Sequence, residues 1–449
     1  MKFTQPLMAT ILVAILFFCS CEEEKVPKAF QPRNDHEAYL KSLENANLLE
    51  TALGKDWQLM AKEILNSPLS INSPYEEAFY IDDKEVQAMG YKFMAKRGQK
   101  VQVTVESLST RDGMTFLDLY RKDGLGQYRH VATAAKESMT LGFEPRRDAE
   151  YILRFQTELL RGGQYKITIE NVPTLAFPVA GKTPRAIGSF WGDPRDGGRR
   201  KHEGVDIFAR RGTPIVAPSD GRVRFAGERG IGGKVVWLRD SKRGTSLYFA
   251  HLNKILVKSG DRIEKGDTLG TVGNTGNART TPPHLHFGVY SNGAVDPLAF
   301  LKADGRRLKP LKAVTTNLGD FVRVDKNTSL FTDERKRKRK KRLNRNQVVK
   351  TIAETESAYR IELPNGDQGY INKNFIAQLN SPLENLDLKY SEDLLFSPRL
   401  NSTKSVIAAN ESISLLGESG DFYLVRTKNG QSGWMPRSVK ESARNRADD

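Results

Sequence analysis

Four of the six histidines in this 449-residue chain fall in three short motifs built from the residue types that bind zinc. The motifs are His202-Glu-Gly-Val-Asp206, Phe249-Ala-His251 and His284-Leu-His286. Imidazole nitrogen and carboxylate oxygen are good zinc ligands, and a catalytic zinc keeps three protein ligands and one water. The chemistry such a set allows is hydrolysis by a metal-activated water. One histidine alone says little, because it is more often a satisfied core or surface residue. Three motifs in order, along Gly-rich and strand-like sequence, say much more.

The backbone must line these residues up. Val205 and Ile207 bracket Asp206, which reads as a strand with an apolar face and Asp206 on the other side. Residues two or four apart in an extended segment share a side. His202 and Asp206 are therefore expected to converge, as are His284 and His286, with Leu285 turned into the core.

The stretch from about Phe177 to Leu301 resembles the lysostaphin/LytM-type zinc metallopeptidases, which cut peptide bonds in peptidoglycan. Ser189-Phe190-Trp191-Gly192 resembles the opening of that family, and His202-Glu-Gly-Val-Asp206-Ile-Phe-Ala its ligand strand. Gly212-Thr-Pro-Ile-Val-Ala-Pro with Asp220-Gly221 resembles its next hairpin, and Gly273-Asn-Thr-Gly276, His284-Leu-His286-Phe287 and Asp296-Pro297 complete the pattern. The resemblance implies one Zn²⁺ held by His202, Asp206 and His286, with His251 and His284 as the non-ligand catalytic histidines. Which of these two is the general base stays open. The family often has a short Ser/Thr-Gly-Pro approach before the last motif. This chain has Asn277-Ala-Arg-Thr-Thr-Pro-Pro283, a departure that bears on bond preference.

Lys2 followed by an apolar run from Leu7 to Phe18 reads as a signal peptide, too short for a confident membrane span. It leads into Ser20-Cys21 and three glutamates, a junction resembling a bacterial lipobox. We expect residues 1–20 to be removed and Cys21 to be lipidated. That implies a lipid-anchored envelope protein, at the outer membrane of a Gram-negative bacterium. Both cysteines of the chain lie here, at 19 and 21, so no disulfide is expected in the mature domains.

The chain has room for several domains, and the expected fold class is mainly β and multidomain. After a tether (21–33), helical spacing of Trp57, Met60, Ala61, Ile64 and Leu65 predicts a helical segment over 34–68, two helices broken near Gly54. Period-two runs such as Val101, Val103 and Val105 predict a β-sandwich accessory domain over 75–172. His36 and His130 are isolated in sequence and read as surface residues. The peptidase-like domain covers 174–302, and a polar linker 303–316. Two similar units follow, at 318–379 and 388–440. Each runs strand, Asn-Gly-type turn, strand, then Gly-aromatic-aliphatic (Gly369-Tyr370-Ile371; Gly433-Trp434-Met435). They resemble tandem bacterial SH3-like domains, which implies small barrels that hold a hydrolase on peptidoglycan.

The formal net charge of +16 favours polyanionic partners. Arg335 to Arg342 is an unbroken run of eight cations, expected to form a mobile loop and offered to an anionic envelope polymer. The export signal argues against nucleic acid. Together these readings predict a zinc endopeptidase acting on peptidoglycan crosslinks or stem peptides. The alternative is a LytM-like regulator or scaffold that binds peptidoglycan and activates a separate amidase. The filled set of five site positions separates the two.

Overall fold

The computed structural model describes residues 32–109, 113–134, 139–305, 308–309, 311 and 317–440. Cys21 and the expected signal peptide lie outside the described residues, as does part of the 303–316 linker. The architecture is mainly β and built from several packed units.

Two helices open the described chain, Asp35–Asn45 and Ala52–Asn66, capped by the Asn34 and Thr51 side chains. Their break falls before Thr51, and Gly54 lies inside the second helix. A Cβ at Gly54 would stand 2.2 Å from the Leu48 carbonyl oxygen, so this glycine lets the connecting loop pack against the second helix. Trp57, Ala61 and Leu65 form the buried stripe that helical spacing predicts. His36 is a correction to the sequence reading. It is buried, stacked on Trp57 at 4.6 Å between ring centres, with Nε2 3.0 Å from Gln156 Oε1. Its partners are far away in the chain, so local isolation did not mean exposure. His130 is partly covered and lies 3.0 Å from the Asp118 carboxylate.

A sandwich follows. One sheet pairs strands 69–70, 88–95, 149–157, 115–122 and 128–133, and the other pairs 75–81, 163–173, 99–107 and 140–143. Phe79, Tyr91, Val103, Leu119, Phe155 and Ile167 fill the space between them. The second sheet does not end with the sandwich. Strand Tyr75–Ile81 also pairs with Val348–Glu354 of the first C-terminal unit, through Ala78 opposite Glu354 and Phe79 opposite Ala353. The two units therefore share one continuous sheet. Across this seam, fully buried Glu77 accepts from Tyr75 and Tyr91 hydroxyls at 2.6 Å and from Arg360 Nη2 at 2.8 Å.

The 321–377 and 384–436 segments fold as small β units with separate cores, around Val324, Leu330 and Ile361 in the first and Leu394, Val425 and Met435 in the second. The basic run corrects the loop expectation. Its second half is ordered as the strand Arg339–Leu343, antiparallel to Thr328–Phe331. It sits at the end of the shared sheet, where charged residues suit an unpaired edge. Lys340 is tied to Asp367, and Arg339 Nε donates to Ser329 Oγ at 2.8 Å.

Between these flanks, an antiparallel sheet runs in the order Ile187–Ser189, Val205–Phe208, His284–Tyr290, Thr245–Ala250, Lys234–Asp240 and Gly221–Glu228. Val205, Ile207, Phe249, Leu285 and Phe287 point into its core, leaving the alternate residues for the other face.

Candidate metal centre

Sheet register brings the distant motifs together. Asp206 lies opposite His286, His286 opposite Ala250, and Ser189 opposite Asp206, so one row crosses four strands. His251 follows Ala250 directly, and His284 lies opposite Phe208. His202 reaches the row from just outside the strand, which starts at Val205. The chain bends in at Gly204, and a Cβ there would meet His286 Nε2 at 2.8 Å and the Phe287 carbonyl oxygen at 2.6 Å. This glycine is what lets the ligand loop pass over the His286 ring.

His202 Nε2, Asp206 Oδ1 and His286 Nδ1 form a triangle with sides of 2.9, 3.0 and 3.0 Å. Tetrahedral zinc with bonds of about 2.0–2.2 Å places its ligand atoms roughly 3.3 Å apart, so these three fit the ion after a small outward shift. The protonation pattern agrees. The Phe190 carbonyl accepts from His202 Nδ1 at 2.8 Å, which leaves the Nε2 lone pair facing the Asp206 carboxylate. Such an electron-rich centre is what a cation satisfies, and backbone anchoring of the second ring nitrogen is usual for a metal-bound histidine. Burial alone would raise the Asp206 pKa. The adjoining His202 and His286 rings outweigh that and hold it well below the usual carboxylate range.

The other two histidines stand beside this triangle, His251 and His284 at 5.1 Å between ring centres and His251 and His286 at 6.0 Å. His251 Nδ1 donates to the Thr275 carbonyl at 2.9 Å, and His284 Nδ1 to the Pro282 carbonyl at 2.8 Å. Each therefore keeps an Nε2 lone pair. Burial, then the neighbouring His284 and His286, push the His251 pKa down to about 4, so this imidazole is neutral at pH 7. His251 also adopts a left-handed backbone, φ +65°, a strained state that persists only where the surroundings enforce it. Here its N–H is held by the Gly232 carbonyl at 2.9 Å.

All five histidine and aspartate positions named from the sequence thus meet at one cavity, of about 410 Å³. Trp237, Tyr248 and Tyr290 contribute aromatic wall, and Asn277, Ala278 and Thr281 come from the loop where the sequence departs from the family pattern. Among the described residues, its lining comes only from positions 195 to 290, so neither flanking unit covers the site. Sequence reading missed Arg195. Its Nη2 donates to Asp206 Oδ2 at 2.6 Å and to Ser189 Oγ at 2.8 Å, so it orients the carboxylate whose other oxygen faces the centre. Its only sequence signal was a basic residue in a Gly-rich turn.

Residues 200–297 match the model described as Peptidase family M23, a family that is generally zinc-dependent. Similar proteins include the L-Ala–D-Glu endopeptidase of Bacillus subtilis, 41% identical over 141 residues, which cover 28% of this chain and 43% of that protein. The peptidoglycan DD-endopeptidase ShyC of Vibrio cholerae is 41% identical over 100 residues, covering 22% of each chain. The solved catalytic domain of lysostaphin from Staphylococcus simulans is 36% identical, with a TM-score of 0.24, and the match covers 25% of this chain and 90% of that one. The chain spans less than half the length of these two curated relatives.

Proposed function

We propose that this chain is a zinc-dependent endopeptidase that hydrolyses peptide bonds in peptidoglycan crosslinks or stem peptides during cell-wall remodelling. The observation that carries the reading is the convergence of the His202–Asp206–His286 donor triangle with two histidines that each offer a free Nε2. Zinc bound there supplies a Lewis acid and brings the pKa of its water to about 7. His202, Asp206 and His286 hold the ion, and Arg195 fixes the Asp206 carboxylate. One of His251 and His284 accepts the water proton at Nε2 and passes it to the leaving amine, a role that contributes roughly 10²–10⁴-fold. The other hydrogen-bonds the oxyanion that develops on the attacked carbonyl. The aromatic wall of Trp237, Tyr248 and Tyr290 packs against the peptide.

In the same proposal Cys21 carries the lipid that holds the protein in the envelope, and the two C-terminal units, read as SH3-like, bind the polymer. The edge strand at 339–342 offers cations to an anionic envelope polymer. The test is mass spectrometry of the muropeptides released from purified peptidoglycan, with zinc and after chelation. New amino termini at one type of peptide bond, lost on chelation and restored by zinc, are expected. Intact crosslinks and stems in every peptidoglycan tried would leave the chain a regulator rather than an enzyme.

A further inference from the structure

A second cleft, of about 1010 Å³, opens where the sandwich meets the peptidase-like domain. It lies at the far end of the Thr245–Ala250 strand from the metal centre, roughly 17 Å away at about 3.4 Å per residue. Its charge is one-sided. Arg97, Lys100 and Arg146 line it from the sandwich and Lys242 and Arg243 from the other domain, against the single carboxylate of Glu144. That carboxylate is already taken, because Arg243 grips it through Nε at 2.9 Å and Nη2 at 3.1 Å while its Nη1 holds Asp240 at 2.9 Å. Lys242 reaches Glu144 only at 3.7 Å. Among the described residues no acidic side chain pairs with the side chains of Arg97, Lys100 or Arg146, and Asp148 Oδ1 accepts only from the Arg97 backbone N–H, at 2.9 Å.

The cleft is also built rigidly. The Arg243–Glu144 fork joins its two walls, and Gln99 Nε2 donates to Asp304 Oδ2 at 2.7 Å. At its base Gly98, with φ +93°, lets Phe300 pack where a Cβ would stand 2.4 Å from the ring. Thr245, which lines the cleft, is 3% exposed, and its hydroxyl has no hydrogen-bond partner among the described residues. The side chains of Arg97, Lys100 and Arg146 thus face one cleft without a partnering carboxylate, which concentrates positive potential there.

We propose that this cleft is a binding site for phosphate-bearing oligoanions. Two guanidinium groups suit the forked contacts of phosphate oxygens, and the lysines add point charges. The phosphates come either from lipid headgroups or from a soluble phosphorylated polymer. The site is independent of the peptidase reading, because none of its residues touches the metal centre.

The test uses the full chain in low salt, with inorganic tripolyphosphate followed by calorimetry and vesicles of phosphatidylglycerol or phosphatidylcholine followed by co-sedimentation. Wild type is expected to bind at least one phosphate probe over phosphatidylcholine. Arg97→Gln/Lys100→Gln/Arg146→Gln should weaken that binding at least tenfold. Arg146→Glu alone, on an exposed side chain, should weaken it severalfold, which keeps the test valid if the triple variant fails to fold. Lys254→Gln/Lys258→Gln, exposed and outside the cleft, should stay within twofold of wild type. Preference for phosphatidylglycerol identifies the lipid source, and preference for tripolyphosphate the soluble one. The proposal is overturned if wild type binds neither probe, if the cleft variants bind as wild type does, or if the Lys254/Lys258 variant removes binding as the cleft variants do.

Discussion

Replacing Arg360 by methionine should destabilise two units at once, because its charge closes the seam between sandwich and first C-terminal unit. Glu77 is fully buried and depends on three donors, two tyrosine hydroxyls and the Arg360 guanidinium, which lies 283 residues away in sequence. Burial works against the Arg360 charge, but Glu77 and the surrounding tyrosines more than compensate and hold it protonated. Without the guanidinium, a carboxylate stays buried with only neutral donors. Breaking such a pair costs about 3–5 kcal/mol, a large share of the roughly 5–15 kcal/mol that stabilises a domain. Urea denaturation followed by tryptophan fluorescence and circular dichroism measures it. The shared sheet predicts that sandwich and first C-terminal unit of the wild type unfold in one transition, and that Arg360→Met lowers its free energy by that amount. Glu77→Gln combined with Arg360→Met should recover much of the loss, since no charge is then stranded. A loss under about 1 kcal/mol, against the 3–5 expected of a buried pair, or separate wild-type transitions with only one affected, would refute the reasoning.

Two further outcomes follow from single residues. Gly204→Ala should weaken zinc binding at least tenfold, on the scale of lost support around a ligand, because the added methyl displaces the His286 ring; competition with a chromogenic chelator reads it, and unchanged affinity would contradict the contact. Burial, then Arg154, push the His36 pKa down to about 4, against the opposing pull of Gln156 and Asp118. The unfolded chain therefore takes up this proton first, and stability falls as pH drops from about 6.5 towards 4, by up to about 3 kcal/mol. His36→Gln should lose less stability than wild type between pH 7.5 and 4.5 in urea titrations; equal losses would show that His36 does not titrate as described.

The clustering of His202, Asp206 and His286 was legible because it is assembled from short strand motifs. Period-two spacing places Asp206 and His286 on the face opposite Ile207 and Leu285, and antiparallel pairing does the rest. Arg195 was not legible, since a turn arginine announces no partner. Nor was the seam, because Glu77, Arg360 and Tyr370 meet only through a pairing of strands from opposite ends of the chain. His36 misled for the same reason, its cage being built from Trp57, Phe116 and Gln156. In the basic run, charge repulsion suggested a loop, whereas an edge strand keeps those side chains in solvent and still satisfies half the backbone.

The central claim is that ligands and proton-transfer groups are different residues in one cavity, and one paired measurement separates them. Zinc content by atomic spectroscopy and muropeptide release are taken on the same preparations of wild type, Asp206→Ala and His251→Ala. Asp206→Ala is predicted to lose both metal and cleavage, because two remaining ligands hold zinc poorly. His251→Ala is predicted to keep near-stoichiometric zinc while turnover falls roughly 10²–10⁴-fold. Full zinc in Asp206→Ala, or undiminished cleavage in His251→Ala, would contradict the account.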